Sequence, residues 1–146
     1  MLVMTLYYFV SFVRTESWDN MEYENVFVYG TLRKDYWNHK YYLKNSKFVG
    51  KGRTKHKYAL YADNIPYVIE NENISHIVGE VYCVDEETLG RLDYLEGHPT
   101  CYKRKKVPII LESGEEIEAW LYFYPEPYGD LVESGDYKDY ERLDYV

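Results

Sequence analysis

The sequence has few cysteines and no long apolar run, and both shortages narrow the class of protein. Its 146 residues include 2 cysteines, Cys83 and Cys101, which is typical of a reducing compartment and argues against a disulfide scaffold, although one disulfide stays geometrically possible. No stretch reaches the length of a membrane-spanning helix. The apolar residues 2–13 lack the preceding Lys or Arg and the small cleavage-site residues of a signal peptide. We therefore expect a cytoplasmic protein with no membrane partner.

Clustered basic charge is also missing. The formal net charge is −8, whereas phosphate contacts need Lys and Arg gathered on one face. The richest basic run, residues 103–106, fits one charged strand better than a patch. Nucleic acid is therefore not an expected partner.

Several catalytic motifs are absent. The chain contains no Gly-x-Ser-x-Gly elbow and no phosphate-binding loop. Its four histidines have no metal-ligand spacing with one another or with the cysteines; they are His39, His56, His76 and His98. Cys101 has no activating base nearby in sequence, which makes it a poor nucleophile candidate. We expect neither a metal nor a cofactor.

What the chain does have is 19 tyrosines and many short apolar runs separated by glycine turns. Tyrosine suits half-buried strands and pocket walls. Strands are predicted over residues 26–28, 47–53, 58–62, 65–69, 77–84, 102–111 and 115–124. One helix is predicted from a cap at Asp85 to Glu96, ending at Gly97, and an acidic tail from residue 129. This pattern predicts an α+β domain built on a small closed or nearly closed sheet.

The corner after the first predicted strand is the first candidate site. Residues 26–28 form an apolar run, and Gly30 is expected to turn the backbone through φ values that other residues avoid. Thr31 can cap a helix predicted over residues 32–43. Unpaired backbone N–H groups at such a corner favour a carboxylate or an oxyanion. A purely structural turn is the alternative.

A carboxylate on an apolar helix face is the second candidate. On a helical wheel with Leu89 at zero, Leu92 falls at about 300° and Glu96 at about 340°, among the core leucines. Asp93 falls at about 40° and is expected to be the solvated acid. Burial would raise the pKa of Glu96, as a general base requires.

A structural role for Glu96 is the alternative to catalysis. The residue lies on the last predicted turn, where helices fray. Its side chain could bend into solvent or pair with Arg104 or Lys103.

The two candidate stretches belong to a set of motifs that resembles a known family. The motifs are Tyr29-Gly30-Thr31-Leu32 with Asn38-His39, Val78-Gly79-Glu80-Val81-Tyr82, Leu92-Asp93-Tyr94-Leu95-Glu96-Gly97 followed by Tyr102 and Arg104, and Ser134-Gly135-Asp136-Tyr137. They resemble the γ-glutamylcyclotransferase-like superfamily, and most closely its γ-glutamylamine cyclotransferase branch, also called AIG2-like. The resemblance covers roughly residues 26–140, in the same order.

The resemblance implies a small mixed β-barrel with flanking helices. It also implies an enzyme that converts a γ-glutamyl amine or peptide to 5-oxoproline and a free amine, with no metal or cofactor. Glu96 would be the catalytic general acid and base. The implied substrate-binding residues are Tyr29, Gly30, Thr31, Leu32, Tyr102 and Tyr137. The chain departs from the family pattern at the charged residues 33–35 and at Tyr137, where tryptophan is common, which leaves the substrate open.

The predicted organisation is an N-terminal extension over residues 1–25, a γ-glutamylcyclotransferase-like domain over 26–140 and a C-terminal tail over 141–146. Met21 is an alternative start. The expected state is a monomer or a weak dimer acting on a small molecule. Two other functions stay open: a non-catalytic module that binds small anions or carboxylates on the same barrel, and an interaction protein that docks through its tyrosine-rich tail and apolar N-terminus.

Overall fold

The computed structural model describes residues 23–144, and the predictions for the segment before Tyr23 lie outside this range. The strands are β1 (Tyr23–Val28), β2 (Lys47–Thr54), β3 (Ala59–Asp63), β4 (Ile65–Ile69), β5 (Val78–Asp85), β6 (Lys103–Leu111), β7 (Glu116–Phe123) and β8 (Asp130–Leu131). The helices are α1 (Trp37–Tyr42), α2 (Glu86–Glu96) and α3 (Tyr137–Asp144).

Five of these strands close into a barrel in the order β1-β5-β2-β6-β7. Neighbouring strands run antiparallel except β1 and β7, which pair in parallel where Val26 lies opposite Trp120. The predicted small mixed barrel with flanking helices is therefore confirmed. A separate sheet, β4-β3-β8, packs beside it.

The second half of strand β1, residues 26–28, is buried because it lies between two hydrophobic clusters. Phe27 belongs to the first cluster, with residues of β3 to β7. Val26 and Val28 belong to the second, which includes Leu89 and Leu92 of α2. The buried end of β1 leads directly into the candidate site.

Helix α2 forms as its local signals predict. The Asp85 carboxylate accepts a hydrogen bond from the Thr88 amide at 2.8 Å, which satisfies one of the free N–H groups of the first turn. Gly97 ends the helix in the left-handed conformation, with φ 66°. Leu89 and Leu92 are buried, so this face of α2 packs on the barrel.

Three local predictions around the first corner are wrong. Gly30 does not have a positive φ, Thr31 does not cap a helix, and α1 covers only Trp37–Tyr42 instead of residues 32–43. The helix begins only after Asp35 because the φ of 83° at that residue is incompatible with a right-handed helix. Strand β1 also starts at Tyr23, earlier than predicted.

The predicted tail is part of the fold up to Asp144. Strand β8 pairs with β3, and Val132 and Tyr137 are buried in the first hydrophobic cluster. Because these apolar side chains pack on the barrel, Tyr137 is not available as a docking surface. The expectation of a tyrosine-rich docking tail is therefore wrong for this residue.

Candidate active site

A cavity of about 180 Å³ lies between the end of β1 and the last turn of α2. Its walls come from β1 and the following corner, from α1, β4 and β7, and from α2 with the loop after it. The lining residues are Phe27, Val28, Tyr29, Gly30, Thr31, Leu32, Asn38, Ile65, Pro66, Leu95, Glu96, Tyr102 and Tyr122. Both candidate stretches, the corner and Glu96, therefore contribute to one hollow.

The corner supplies backbone donors. Among residues 23–144, the amides of Gly30, Thr31 and Leu32 make no hydrogen bond, while the Arg33 amide donates to the Gly30 carbonyl at 3.0 Å. A Cβ on Gly30 would lie 2.4 Å from Cγ of Pro66. Gly30 is therefore needed for this close approach and not for an unusual φ. The free amides can bind a carboxylate or a developing oxyanion.

Two side chains from α1 hold the corner in place. Nδ2 of Asn38 donates to Oγ1 of Thr31 at 2.8 Å. Nδ1 of His39 lies 3.2 Å from the Leu32 carbonyl oxygen, and since a carbonyl only accepts, Nδ1 is the donor. The Asn38-His39 pair of the opening motif thus acts on the backbone that lines the cavity.

A buried charge network anchors the other side of the corner. Nη1 of Arg33 donates to Asp136 at 2.8 Å, and Nε lies 3.7 Å from Glu80. The Glu80 carboxylate accepts from the Lys34 amide at 2.8 Å and from the Tyr82 hydroxyl at 2.9 Å. Burial alone would raise the pKa of Asp136, but the Arg33 hydrogen bond helps to lower it below its usual value. The opening, central and closing motifs therefore meet at Arg33.

Glu96 lies in the cavity wall, on the side of α2 that the helical wheel indicates. Within the described chain its side chain makes no hydrogen bond and no ion pair. Burial raises its pKa from 4.5 to about 7, because removing a carboxylate from water penalises its charged form. At neutral pH Glu96 is therefore divided between its acid and base forms, as a group that both takes and gives a proton should be.

Asp93 is not the solvated acid that the wheel predicts. Nε and Nη2 of Arg104 donate to its two carboxylate oxygens at 2.8 and 3.2 Å. The Tyr122 hydroxyl donates to the same carboxylate at 2.6 Å. Arg104 also lies over the Trp120 ring, 4.1 Å from its centroid. Arg104 thus pairs with Asp93 rather than Glu96, and this cluster fixes the last turn of α2 against β6 and β7.

Three buried tyrosines, Tyr29, Tyr102 and Tyr122, line the cavity together with Glu96. The Tyr29 hydroxyl donates to the Tyr122 carbonyl at 2.7 Å, and the Tyr102 hydroxyl donates to the Pro66 carbonyl at 2.9 Å. Burial is the main reason that the pKa values of Tyr29, Tyr102 and Tyr122 are raised, and the charge of Glu96 adds to the shift in all three. All three tyrosines therefore share the cavity wall with Glu96.

Tyr137 does not line the cavity. It is buried, and its hydroxyl donates to the Asn64 carbonyl at 3.0 Å, next to Ile65 and Pro66 in the cavity wall. Tyr137 therefore supports the wall from behind.

Tyr122 and the β4 residues are site members that sequence reasoning did not identify. Tyr122 lies in a predicted strand, next to Leu121, and side chains along β7 alternate between the two faces of the sheet. Alternation shows that Tyr122 and Leu121 face opposite sides. It does not show that α2 covers the Tyr122 side.

Other types of site are not found in the part of the chain that the structure describes. Between residues 23 and 144, no group of three or more His, Cys, Asp or Glu side chains could hold a metal ion. Both cysteines are free thiols, with Cys83 half-buried and Cys101 exposed. No helix in this range has the length and apolar character needed to cross a bilayer.

The fold and the site define a small-barrel protein whose cavity combines free backbone amides with one uncompensated acid. The family model described as gamma-glutamyl cyclotransferase, AIG2-like, matches residues 26–139. The chain belongs to this family.

Individual relatives agree with this assignment. A protein of Methanocaldococcus jannaschii is 75% identical over 120 residues, which cover 82% of this chain and 98% of the relative; its name gives gamma-glutamylcyclotransferase as a provisional assignment. The gamma-glutamylaminecyclotransferase of Rattus norvegicus is 34% identical over 113 residues, covering 67% and 76% of the two chains. The crystal structure of an AIG2-like protein from Mus musculus superposes with a TM-score of 0.64 at 30% identity, covering 73% of this chain and 88% of that one.

Proposed function

We propose that this protein converts a γ-glutamyl amine or peptide to 5-oxoproline and a free amine, with Glu96 as general acid and base. The observation that carries the proposal is the presence of Glu96 and the free corner amides in one cavity. A module that only binds anions would have no use for an uncompensated acid there, because a buried charge without a partner destabilises the fold.

The reaction joins two groups of the same substrate molecule. The α-amine attacks the δ-carbonyl carbon, a five-membered ring closes, and the bond from that carbon to the departing amine breaks. Because nucleophile and electrophile are already tethered, the protein mainly has to hold the curled conformer. Well-oriented intramolecular reactions recover up to roughly 7–11 kcal/mol of the barrier.

Glu96 manages the proton in this scheme. The α-amine is an ammonium at neutral pH and must lose a proton before it attacks. The ionised Glu96 takes that proton. When the new C–N bond has formed, the attacking nitrogen loses a second proton, and the departing amine leaves with both protons as an ammonium, so Glu96 returns to its ionised form. One well-positioned acid–base group accelerates a reaction about 10²–10⁴-fold.

The corner amides provide the anion-binding part of the scheme. The N–H groups of Gly30, Thr31 and Leu32 can bind the substrate α-carboxylate or the oxyanion that forms as the ring closes. One such donor contributes on the order of 2.7–4 kcal/mol. The cavity of about 180 Å³ is smaller than the roughly 300–1,000 Å³ of pockets for drug-sized ligands. We therefore place the γ-glutamyl part inside and the departing amine outside.

The test is to incubate the purified protein with a panel of γ-glutamyl amines and γ-glutamyl dipeptides and to measure 5-oxoproline by mass spectrometry. Release from at least one member is the expected result, and the preferred member identifies the departing amine. Binding of panel members without any 5-oxoproline would instead support the non-catalytic module.

A further inference from the structure

Two tyrosines of the cavity wall donate their hydroxyl protons to other groups of the protein. The Tyr102 hydroxyl donates to the Pro66 carbonyl at 2.9 Å, and a carbonyl oxygen can only accept. The Tyr122 hydroxyl donates at 2.6 Å to Asp93, whose carboxylate is held by Arg104. Both tyrosine oxygens are therefore left with lone pairs and no proton to offer a ligand.

Glu96 lines the same cavity as these two tyrosines, and its ionised carboxylate is also an acceptor without a proton. The three groups make this part of the wall rich in acceptors. The corner, in contrast, offers donors, from the free amides of Gly30, Thr31 and Leu32. Tyr29 is not counted among the acceptors, because its hydroxyl is engaged both by the Tyr122 carbonyl and by the Val68 backbone.

We propose that Tyr102, Tyr122 and Glu96 form a subsite for the α-ammonium group of the substrate. An ammonium has three N–H groups and no lone pair, so three acceptors match it in number. The α-carbon of a γ-glutamyl group carries both a carboxylate and an ammonium, which match the donors of the corner and the acceptors of this subsite. After Glu96 removes one proton, the two tyrosine oxygens hold the remaining N–H groups. The inference rests on the proposed function and assigns the residues that recognise its nucleophile.

The test compares two ligands that differ only in the α-amine: γ-glutamylethylamide and glutaric acid monoethylamide. Affinities are measured by calorimetry in the Glu96→Gln background, so that the first ligand is not consumed. Tyr102→Phe and Tyr122→Phe each remove one acceptor. Tyr67→Phe is the matched control, because its ring stacks on Tyr102 at 6.0 Å but does not line the cavity.

We expect Tyr102→Phe and Tyr122→Phe each to weaken the binding of γ-glutamylethylamide about 10- to 100-fold, the usual effect of losing a hydrogen bond to a charged group. The affinity for glutaric acid monoethylamide should change less than about threefold, and Tyr67→Phe should change the affinity for neither ligand. Equally weakened binding of both ligands would show that the tyrosines have only a structural role and would overturn the inference. The same conclusion would follow if the protein did not prefer the amine-bearing ligand.

Turnover of the parent protein separates the two proposals. If the parent releases no 5-oxoproline but the tyrosine variants still lose their preference for the amine, the proposed reaction is wrong and the ammonium subsite stands. If the parent is active and the preference does not depend on either hydroxyl, the subsite is wrong and the reaction stands.

Discussion

Replacing Glu96 by Gln should stabilise the folded protein, and the gain should grow with pH. Burial raises the pKa of Glu96 from 4.5 to about 7, so the folded state holds this proton more tightly than the unfolded state does. The parent therefore loses stability as pH rises from about 4.5 to 7. Each unit of pKa shift is worth about 1.4 kcal/mol. Relative to its value at low pH, the free energy of unfolding of the parent is therefore lower by about 1 kcal/mol at pH 5 and by about 3 kcal/mol above pH 8. Glutamine keeps the shape of the side chain and carries no charge to desolvate.

Urea unfolding at pH 5 and pH 8.5 measures the effect. The stability gain of Glu96→Gln should be about 2–3 kcal/mol larger at pH 8.5 than at pH 5, or about 5–15 °C in melting temperature. Glu126→Gln is the control, since Glu126 is exposed and lies outside the cavity, and it should show no such pH dependence. A gain that is the same at both pH values would refute the assignment of Glu96 as a half-buried acid with a raised pKa.

Three further predictions follow from the site and the fold. With a γ-glutamyl amide as substrate, kcat/KM should fall about tenfold per pH unit below pH 7, because Glu96 is then protonated; a flat profile from pH 5 to 8 would contradict this role. Gly30→Val should abolish calorimetric binding of glutaric acid monoethylamide because its Cβ would lie 2.4 Å from Pro66, and unchanged affinity would exclude this explanation. Asp35→Gly should raise stability by about 0.5–1 kcal/mol in urea by relieving the φ of 83°; a lower urea midpoint would show that no strain is stored there.

Local signals were sufficient for α2 and for the β6–β7 hairpin. Asp85 and Gly97 are a cap and a stop that act on neighbouring residues only, and the hairpin joins two consecutive strands across a short turn. Because these interactions are short-range, the sequence pattern predicts them without knowledge of the rest of the fold.

Elements that depend on distant contacts were not predictable in the same way. Strand β8 exists because it pairs with β3, far earlier in the chain. Helix α1 is short because of the backbone conformation at Asp35, which residue type alone does not fix. The docking alternative uses the tyrosine-rich tail as an exposed surface, whereas Tyr137 is held by burial in the barrel cluster.

In the candidate site, too, local signals were predictive and distant contacts were not. Local periodicity places Glu96 on the apolar side of α2. The sequence also locates the corner at Gly30, although the glycine is needed there for the close approach of Pro66 and not for the predicted φ. It does not reveal that Arg104 pairs with Asp93 and leaves Glu96 uncompensated. That choice depends on the register of β6 and β7 against α2, which also brings Tyr122 into the cavity.

In the proposed reaction Glu96 moves the proton during cyclisation, so the decisive measurement is the rate of 5-oxoproline release by Glu96→Gln. With the best γ-glutamyl substrate of the parent, the variant should be at least about 100-fold slower. It should remain folded and bind glutaric acid monoethylamide with an affinity within about threefold of the parent, since that ligand has no α-amine to recognise. Release of 5-oxoproline at the parental rate would contradict the claim.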